Sequence, residues 1–370
     1  MKITIERGLL LKVLTHIQSI VERRNTIPIL SNVKLDAPGG QLSLNATDMD
    51  LDIVETVPAD VGRKGSTTAP AHTLFDIVRK LPDGAQVELD ATGENLKISS
   101  GRSRFTLTCL PVEDFPVLSG GELPHKFTLA CGDLKNLIDR TRFAISTEET
   151  RYYLNGIYLH TVQRKGVSVL RSVATDGHRL ACVDVPLPNG AAGMPGVIVP
   201  RKAVAELRKL IDDLDGEIGV SLSDTKIRFS FEGAVLTSKL IDGTFPDYDR
   251  VIPTDNDKVL DVNTQQFRDA VDRVSAISAE RSRAVKMSLS SGNLTLSVSS
   301  PDNDTAIEEI PVAYDAGNIE IGFNARYLLD IAQQIDGDEA RFLLADAASP
   351  TLVQDKDDTS ALYVLMPMRV

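Results

Sequence analysis

Hydrophobic and polar positions follow the same order in three stretches of the chain, which begin at Lys2, Lys126 and Val259. Each stretch opens with alternating apolar residues and continues with apolar residues three and four positions apart. Alternation predicts a strand with one buried face, and the longer spacing predicts an amphipathic helix. Corresponding positions are separated by a constant 124 and then 133 residues, so we interpret the stretches as copies of one strand–helix unit.

A second strand–helix unit recurs near Thr67, Val197 and Ile319, and a pair of alternating stretches follows it. Because the units return in the same order, we predict an α+β fold of three tandem copies of one domain, each with two helices packed on antiparallel sheets. The predicted domains are 1–125, 126–257 and 258–370. The predicted helices are 8–24, 71–81, 131–146, 200–214, 264–283 and 324–336.

Composition fits a globular chain of several domains, since 42% of the 370 residues are hydrophobic and 25% are charged. The three cysteines lie far apart, and neither a paired-cysteine motif nor an amino-terminal signal pattern occurs. No run of about 18 apolar residues is present, as a membrane-spanning helix would require. We therefore expect a cytoplasmic protein without membrane attachment, and no structural metal site.

The stretch VATDGHRLACVD, residues 173–184, holds the best apparent catalyst, which is a set of Asp176, His178 and Asp184. A hydrolase would also need a nucleophile or metal, and no P-loop, GxSxG or HExxH pattern accompanies these residues. The first copy has Thr47 and Asp48 at the equivalent place. A repeated Thr-Asp pair is typical of a turn whose backbone N–H groups are bound by the side chains, and we favour this interpretation over catalysis.

Charge is distributed unevenly along the chain. The net charge of −12 argues at first sight against binding to nucleic acid, and the absence of Trp leaves little material for stacking single-stranded bases. The predicted helices nevertheless carry 17 Lys and Arg against 12 Asp and Glu, so the remainder of the chain carries −17. Lys and Arg favour helices anyway, but the alternative is a set of helices that faces a polyanion.

Several motifs together resemble the bacterial sliding-clamp family, the beta subunits of DNA polymerase III. They are RYYLNG at Arg151, ATDGHRL at Ala174, VPRK at Val199, SKLIDGTFPDY at Ser238 and YVLMPMR at Tyr363. The resemblance runs along the whole chain. It implies a DNA clamp fold that forms a ring-shaped, head-to-tail homodimer around duplex DNA, with no catalysis and no cofactor.

The resemblance also implies three sets of site residues. The peptide-binding pocket would be formed by Arg151, Leu154, Thr175, Gly177, His178, Arg179, Leu180, Pro246, Arg250, Val251, Val364, Met366, Pro367, Met368 and Arg369. The DNA-facing residues would be Arg24, Tyr152, Tyr153, Arg201 and Lys202. The dimer interface would involve Arg102, Arg104, Phe105, Leu107, Ile277 and Glu308. Pro350 and Val370 depart from the family pattern and could reshape one end of the pocket.

The implied partners are double-stranded DNA, the alpha subunit of the replicative polymerase, the clamp loader, and other polymerases and repair proteins that carry clamp-binding peptide motifs. Two alternatives stay open at this point. One is the hydrolase based on Asp176, His178 and Asp184. The other is a monomeric scaffold with the same fold that never closes into a ring.

Overall fold

A computed structural model describes residues 1–116, 118, 121–278, 283–300 and 304–369. The chain falls into two compact units. Unit 1 comprises residues 1–132, 188–195 and 202–240, and unit 2 comprises residues 133–187, 196–201 and 241–370. None of the helices in the described ranges is long and apolar enough to cross a membrane.

Six α-helices lie in the described residues, in agreement with the predicted number. They are α1 (Arg7–Ile20), α2 (Ala71–Arg79), α3 (Cys131–Asp139), α4 (Arg201–Leu210), α5 (Thr264–Ser275) and α6 (Ala325–Ala332). Short 3-10 turns lie at Pro28–Ser31, Val112–Asp114, Arg142–Ala144, Glu149–Leu154 and Tyr248–Val251.

The strands are numbered in chain order. They are β1 (Lys2–Glu6), β2 (Asn32–Ala37), β3 (Gln41–Thr47), β4 (Leu51–Pro58), β5 (Asp60–Arg63), β6 (Gly65–Pro70), β7 (Gln86–Thr92), β8 (Asn95–Ser100), β9 (Ser103–Thr108), β10 (His125–Ala130), β11 (Gly156–Arg164), β12 (Val167–Thr175), β13 (Arg179–Pro186), β14 (Val197–Pro200), β15 (Glu217–Leu222), β16 (Lys226–Phe231), β17 (Ala234–Lys239), β18 (Lys258–Asn263), β19 (Ala284–Ser290), β20 (Asn293–Ser299), β21 (Thr305–Pro311), β22 (Ile319–Asn324), β23 (Glu339–Leu344), β24 (Thr351–Asp355) and β25 (Ala361–Leu365).

Each unit contains two antiparallel sheets. Unit 1 has a five-stranded sheet in the order β5-β1-β7-β8-β9 and an eight-stranded sheet in the order β10-β15-β16-β17-β4-β3-β2-β6. Unit 2 has an eight-stranded sheet in the order β14-β11-β12-β13-β25-β24-β23-β18 and a four-stranded sheet in the order β21-β20-β19-β22. The eight-stranded sheets cross from one repeat to the next, through the β17–β4 pair and the β13–β25 pair. The predicted α+β class is confirmed.

The sequence predicted where the helices begin better than where they end. The helix predicted over 131–146 ends at Asp139, where the Thr141 hydroxyl donates to the carbonyl of Leu137 at 2.5 Å and the chain continues into a 3-10 turn. The helix predicted over 264–283 ends at Ser275. Apolar spacing continues into turns that pack on the same core, so it does not mark the last helical residue.

The core of the third repeat illustrates how the helices are held. Phe267 on α5 is fully buried, and its ring lies 5.1 Å from that of Phe342 on β23. Ala270, Val271 and Val274 complete the buried face of the same helix. Their spacing is the pattern that predicted this helix, so the helix is fixed mainly by burial of this face.

Phe267→Ala should lower the free energy of unfolding by about 3–5 kcal/mol, because the ring leaves a cavity that the sheet can only partly close. Chemical denaturation followed by circular dichroism measures the change. The matched control is Gln266→Ala on the exposed side of α5, which should stay within about 0.5 kcal/mol of the parent chain. Similar losses in both variants would contradict this account of the core.

Candidate functional site

The turn between β12 and β13 is held by its own side chains. The Thr175 hydroxyl donates to the carbonyl of Arg179 at 2.7 Å and accepts from the Gly177 N–H at 3.1 Å. The Asp176 carboxylate accepts from the N–H groups of His178 and Arg179 at 2.9 and 3.0 Å. Gly177 has φ +87°, a backbone conformation that residues with a side chain rarely adopt. A Cβ added at this position would lie 2.7 Å from the Arg151 guanidinium.

The first repeat contains the same turn. Thr47 bonds the carbonyl of Leu51 and the N–H of Met49, and Asp48 accepts from the N–H groups of Asp50 and Leu51. The interpretation of the Thr-Asp pair as a repeated turn device is therefore confirmed.

A cavity of about 210 Å³ opens beside the turn in unit 2. Its lining is mostly apolar, and it includes residues from β13, β25 and the 3-10 turn at Tyr248–Val251. The lining residues are Leu154, Thr175, Gly177, Arg179, Leu180, Pro246, Asp247, Tyr248, Val251, Val364 and Met366. Nine of these residues belong to the pocket predicted from the sequence, whereas Asp247 and Tyr248 were missed. Both residues could have been predicted, because they follow Pro246 directly within the motif SKLIDGTFPDY.

The other predicted pocket residues lie around this cavity or beside a second one. The Arg151 side chain covers Gly177 and pairs with Glu148 at 3.2 Å, and Arg250 pairs with Asp247 at 2.6 Å. Pro367, Met368 and Arg369 line a separate, open cavity of about 820 Å³ in unit 2.

Strand β25 ends at Leu365, just before the segment that separates the two cavities. Val364 is buried, Met366 is 40% exposed, and Pro367 follows directly. The stretch YVLMPM is therefore part core strand and part exposed surface. Pro350 accepts a hydrogen bond at its carbonyl from Asn256 at 3.0 Å, and Val370 lies outside the described residues.

Arg179 is the most constrained polar residue of the cavity. Its guanidinium donates to Asp176, to Asp330 at 2.5 Å and to the carbonyl of Phe143 at 2.7 Å. It also lies over the ring of Tyr327, 4.3 Å from its centre. These bonds satisfy a nearly buried cation, so Arg179 forms a rigid wall. His178 is exposed and stacks against Tyr327 with the ring centres 6.3 Å apart.

The residues proposed for a hydrolase do not form a catalytic set. Both oxygens of the buried Asp184 are bound by Arg171, at 2.6 and 2.9 Å, and Asp176 is occupied by the turn and Arg179. Within the described ranges, no cluster of three or more His, Cys, Asp or Glu could hold a metal ion. All three cysteines are buried thiols.

The two places where a sheet crosses between repeats differ in polarity. In unit 2, Leu180 on β13 pairs with Val364 on β25. At the equivalent place in unit 1, Asp52 on β4 pairs with Thr237 on β17. Burial raises the pKa of Asp52 to about 6, although a hydrogen bond from Asn45 and the charge of Arg228 oppose the rise. The β13–β25 junction of unit 2 therefore differs from the β4–β17 junction of unit 1 in having an apolar pair, Leu180 and Val364, at this position.

The predicted DNA-facing residues fall in both units. In unit 1, Arg24 is exposed after α1, and Lys202 on α4 contacts Asp48 at 2.5 Å and Glu22 at 3.5 Å. Burial opposes the charge of Lys202, but the bonds to Asp48 and Glu22 outweigh it and raise its pKa. In unit 2, Arg201 is exposed, and Tyr152 is 54% exposed and packs edge-on against Tyr153.

The six helices, with the bounds they have in the described residues, carry eleven Lys and Arg against seven Asp and Glu. The net charge of the helices is therefore still positive with these shorter bounds, as it was with the predicted ones, although the whole chain has a net charge of −12.

The predicted interface residues lie at two sheet edges. Arg104, Phe105 and Leu107 are on β9, the edge strand of the five-stranded sheet, and Arg102 precedes it. Glu308 lies on β21, the edge strand of the four-stranded sheet, and pairs with Arg273 at 2.5 Å. Ile277 is half-buried just beyond α5.

The predicted edge residues do not include Ile307 on β21, which is 69% exposed. The alternation of that stretch gave a signal, because it leaves an isoleucine on the polar side of a strand.

Three family matches cover nearly the whole chain. Residues 1–119, 128–247 and 249–369 match the N-terminal, central and C-terminal domains of the DNA polymerase III beta subunit, in that order. The chain belongs to the DNA polymerase III beta subunit family.

Known clamps of this family match from end to end. The beta sliding clamp of Caulobacter vibrioides is 56% identical over 372 aligned residues, and that of Pseudomonas aeruginosa is 42% identical, with all of each chain covered. A crystal structure of the Bartonella birtlesii sliding clamp bound to griselimycin has a TM-score of 0.97 at 52% identity, with both chains fully covered. A Caulobacter crescentus clamp structure has a TM-score of 0.98 at 55% identity and covers 100% of this chain and 99% of that one.

The function of the chain is therefore that of a DNA sliding clamp, a processivity factor of replication and not a catalytic enzyme. DNA and a polymerase are its partners in the general sense that this function implies. The hydrolase alternative is not supported.

The polar junction of unit 1 makes the stability of the clamp depend on Asp52. The raised pKa means that the folded chain binds more protons than the unfolded chain between about pH 4 and 6, so this carboxylate destabilises the fold as pH rises through 6. We expect Asp52→Asn to stabilise the clamp by roughly 1–3 kcal/mol at pH 7.5 and by about a third as much at pH 4.5.

Denaturation curves at the two pH values test the effect of Asp52. The control is Asp60→Asn, which removes an exposed carboxylate from β5 and should leave stability nearly unchanged. An equal effect of Asp52→Asn at both pH values would show that desolvation of this carboxylate is not the cause.

Proposed function

We propose that two copies of the chain close head to tail into a ring around duplex DNA, and that partner proteins insert short peptide segments into the 210 Å³ cavity. The observation that carries the proposal is the apolar lining of this cavity, built on a sheet junction whose counterpart in unit 1 is polar. We also propose that all the pocket residues predicted from the sequence contact the peptide, including those that do not line this cavity.

The cavity suits a peptide with apolar anchors. Leu180, Val364 and Val251 offer apolar surface, and Met366 adds an adaptable side chain at the rim. Burial of one Leu and one Phe of a partner would contribute roughly 1.5–3 kcal/mol each. The two anchors together supply roughly 3–6 kcal/mol before the ordering costs of the peptide. An affinity near the micromolar range, about −8 kcal/mol, therefore also requires contacts of the rest of the peptide with the cavity walls.

The edge strands support the dimer. Proteins normally cover or pair the edge strands of their sheets. In the single chain, however, β9 exposes almost every residue and β21 exposes Ile307. Arg102 and Arg104 at the first edge are opposite in charge to Glu308 at the second, which pairs with Arg273 within its own chain. Pairing of β9 with β21 of a second copy occurs twice in a head-to-tail dimer and closes it.

Ring closure removes the need for tight DNA binding. Arg24, Arg201, Lys202, Tyr152 and Tyr153 are the proposed contacts, and their weak, sequence-independent attraction to phosphates would let the ring slide. A net charge of −12 is compatible with this role because topology, and not affinity, would retain the ring.

The finer partners follow from the same proposal. They are the replicative polymerase alpha subunit, the clamp loader, and other polymerases and repair proteins with suitable peptide motifs. We place this work in the cytoplasm, where the three thiols would stay reduced. The boundaries 1–125, 126–257 and 258–370 remain our proposal for the three clamp domains.

The clamp should stay on nicked circular DNA after loading with a clamp loader and ATP, and it should be lost rapidly when the circle is cut. Ile307→Arg should abolish this retention, because a charge on the exposed edge would prevent β9–β21 pairing between copies. Gel filtration of the clamp–DNA complexes measures the retention, and analytical ultracentrifugation of Ile307→Arg should show a shift from twice 40.2 kDa to the monomer.

The control for the edge substitution is Val167→Arg, which places the same charge on an apolar residue that is 64% exposed elsewhere in unit 2. It should remain dimeric and be retained on the circle. Equal retention of the parent chain on circular and linear DNA, declining only with salt, would mean simple electrostatic binding and would refute the ring. A parent chain that sediments as a monomer would favour the scaffold alternative.

Asp48→Asn should strengthen the weak attraction to DNA. The substitution removes the charge that pairs with Lys202 and keeps an oxygen that accepts from the N–H groups of Asp50 and Leu51. On a linear duplex at low salt we expect roughly threefold tighter binding and a log–log salt slope steeper by up to about one. Fluorescence anisotropy across a salt series measures both.

The matched control for net charge is Asp224→Asn, at an exposed position in unit 1. If it strengthens binding as much as Asp48→Asn does, the effect comes from net charge and not from Lys202.

A further inference from the structure

One wall of the peptide cavity is held by polar residues that lie outside the cavity lining. Tyr248 lines the cavity, and its hydroxyl contacts His160 Nε2 at 2.9 Å and Arg171 Nη1 at 3.3 Å. Neither His160 nor Arg171 belongs to the predicted pocket. Both lie on the same sheet as the cavity floor, on β11 and β12.

His160 and Arg171 belong to a row of polar side chains that crosses three neighbouring strands of the sheet. His160 is directly opposite Arg171, and Arg171 is directly opposite Asp184 on β13. Arg171 binds both carboxylate oxygens of Asp184, and Arg164 contacts the same carboxylate at 3.0 Å. These bonds fix the position of the Arg171 guanidinium, and its Nη1 then lies within hydrogen-bond distance of the Tyr248 hydroxyl.

Aromatic rings hold His160 and Tyr248 from the sides. The His160 ring stacks on Tyr158 with centres 4.5 Å apart, and Tyr158 stacks on Phe245 at 4.8 Å. Phe245 and His160 both pack edge-on against Tyr248. Two rings thus pack against Tyr248, and Tyr158 supports both of them from behind, so little room is left for another rotamer of Tyr248.

The direction of the hydrogen bonds follows from the chemistry of each group. Arg171 can only donate, so the Tyr248 oxygen accepts from it. The one proton of that hydroxyl is then free to be donated to His160 Nε2, which requires a neutral imidazole. A hydrogen bond with the backbone of Thr161 acts in the opposite sense to burial and raises the pKa of the imidazole.

Protonation of His160 would disrupt this arrangement. Nε2 would become a donor, and the Tyr248 hydroxyl would lose the acceptor for its proton. Burial and the charge of Arg171 lower the pKa of His160, whereas the Thr161 backbone, Asp249 and Asp184 oppose the shift. The groups that face the imidazole are thus Arg171 and Asp184 on neighbouring strands, Tyr248 and Asp249 on the 3-10 turn, and Tyr158 on its own strand.

We propose that His160 and Arg171 are positioning residues that hold Tyr248 as a wall of the peptide cavity, and that acid weakens peptide binding by protonating His160. This inference rests on the proposed peptide site and adds to it a pH-dependent determinant outside the residues that the peptide would touch. An ordinary histidine titrates near pH 6.5, so the weakening begins below that pH.

Isothermal titration of the full-length clamp between pH 5.0 and 8.0 tests the proposal. The probe is an acetylated and amidated hexapeptide that contains Leu and Phe and no ionisable side chain, with griselimycin as a second ligand. The parent chain should bind roughly fivefold more weakly at pH 5.0 than at pH 7.5. Tyr248→Phe, which removes one oxygen, should lose roughly fivefold at pH 7.5 and show a flat pH profile.

Two histidine variants separate positioning from packing. His160→Gln retains an amide that can accept from Tyr248, so it should bind like the parent chain at pH 7.5 and lose the acid step. His160→Leu should be weak at every pH. His178→Gln removes the exposed histidine near the cavity, and the acid step must persist in it.

The outcomes distinguish this inference from the site on which it rests. If the parent chain binds neither probe, the peptide site itself is wrong and the inference falls with it. If the parent chain binds but Tyr248→Phe and His160→Gln follow its pH profile, the site stands and the role of His160 is refuted. A Tyr248→Phe chain that loses its native circular dichroism is set aside, and the two His160 variants then decide.

Discussion

The pairing of β13 with β25 is the contact on which the candidate site depends. It places Leu180 beside Val364 and continues one sheet from the second repeat into the third. A sheet that crosses between repeats fixes the register of both partners, because a shift by one residue would turn every side chain to the opposite face. The apolar cavity exists because the residues that this register brings together are apolar and the chain leaves the sheet at Pro367.

The same scaffold accommodates a polar junction in unit 1. Strand β4 pairs with β17 as β13 pairs with β25, and the Thr-Asp turn before each strand is built with the same hydrogen bonds. Asp52 and Thr237 then stand where Leu180 and Val364 stand in unit 2. The proposed peptide binding would thus be confined to one junction by a few side chains, while the strand pairing and the turn hydrogen bonds stay the same.

Polar groups near the cavity serve mainly to keep its walls rigid. Arg179 is held by hydrogen bonds from all three of its guanidinium nitrogens, to Asp176, Asp330 and a backbone carbonyl, and Tyr248 is bound by Arg171 and His160. Buried polar groups that are fully hydrogen-bonded define one arrangement of a core. Rigid walls reduce the ordering cost when a flexible peptide binds, so the apolar contacts contribute more of their energy to affinity.

The sequence by itself determined the three repeats, the α+β class and the six helices, because apolar spacing is a local signal. It named nine of the cavity-lining residues only through its resemblance to the clamp family. It extended helices such as that after Cys131 too far, since the bond between Thr141 and Leu137 that accompanies the helix end leaves no mark in the apolar pattern. Only the tertiary structure decided that β13 meets β25 and that His160, Arg171 and Tyr248 converge. Their contacts join residues up to 88 positions apart, and side-chain hydrogen bonds over such distances are set by how the sheets pack.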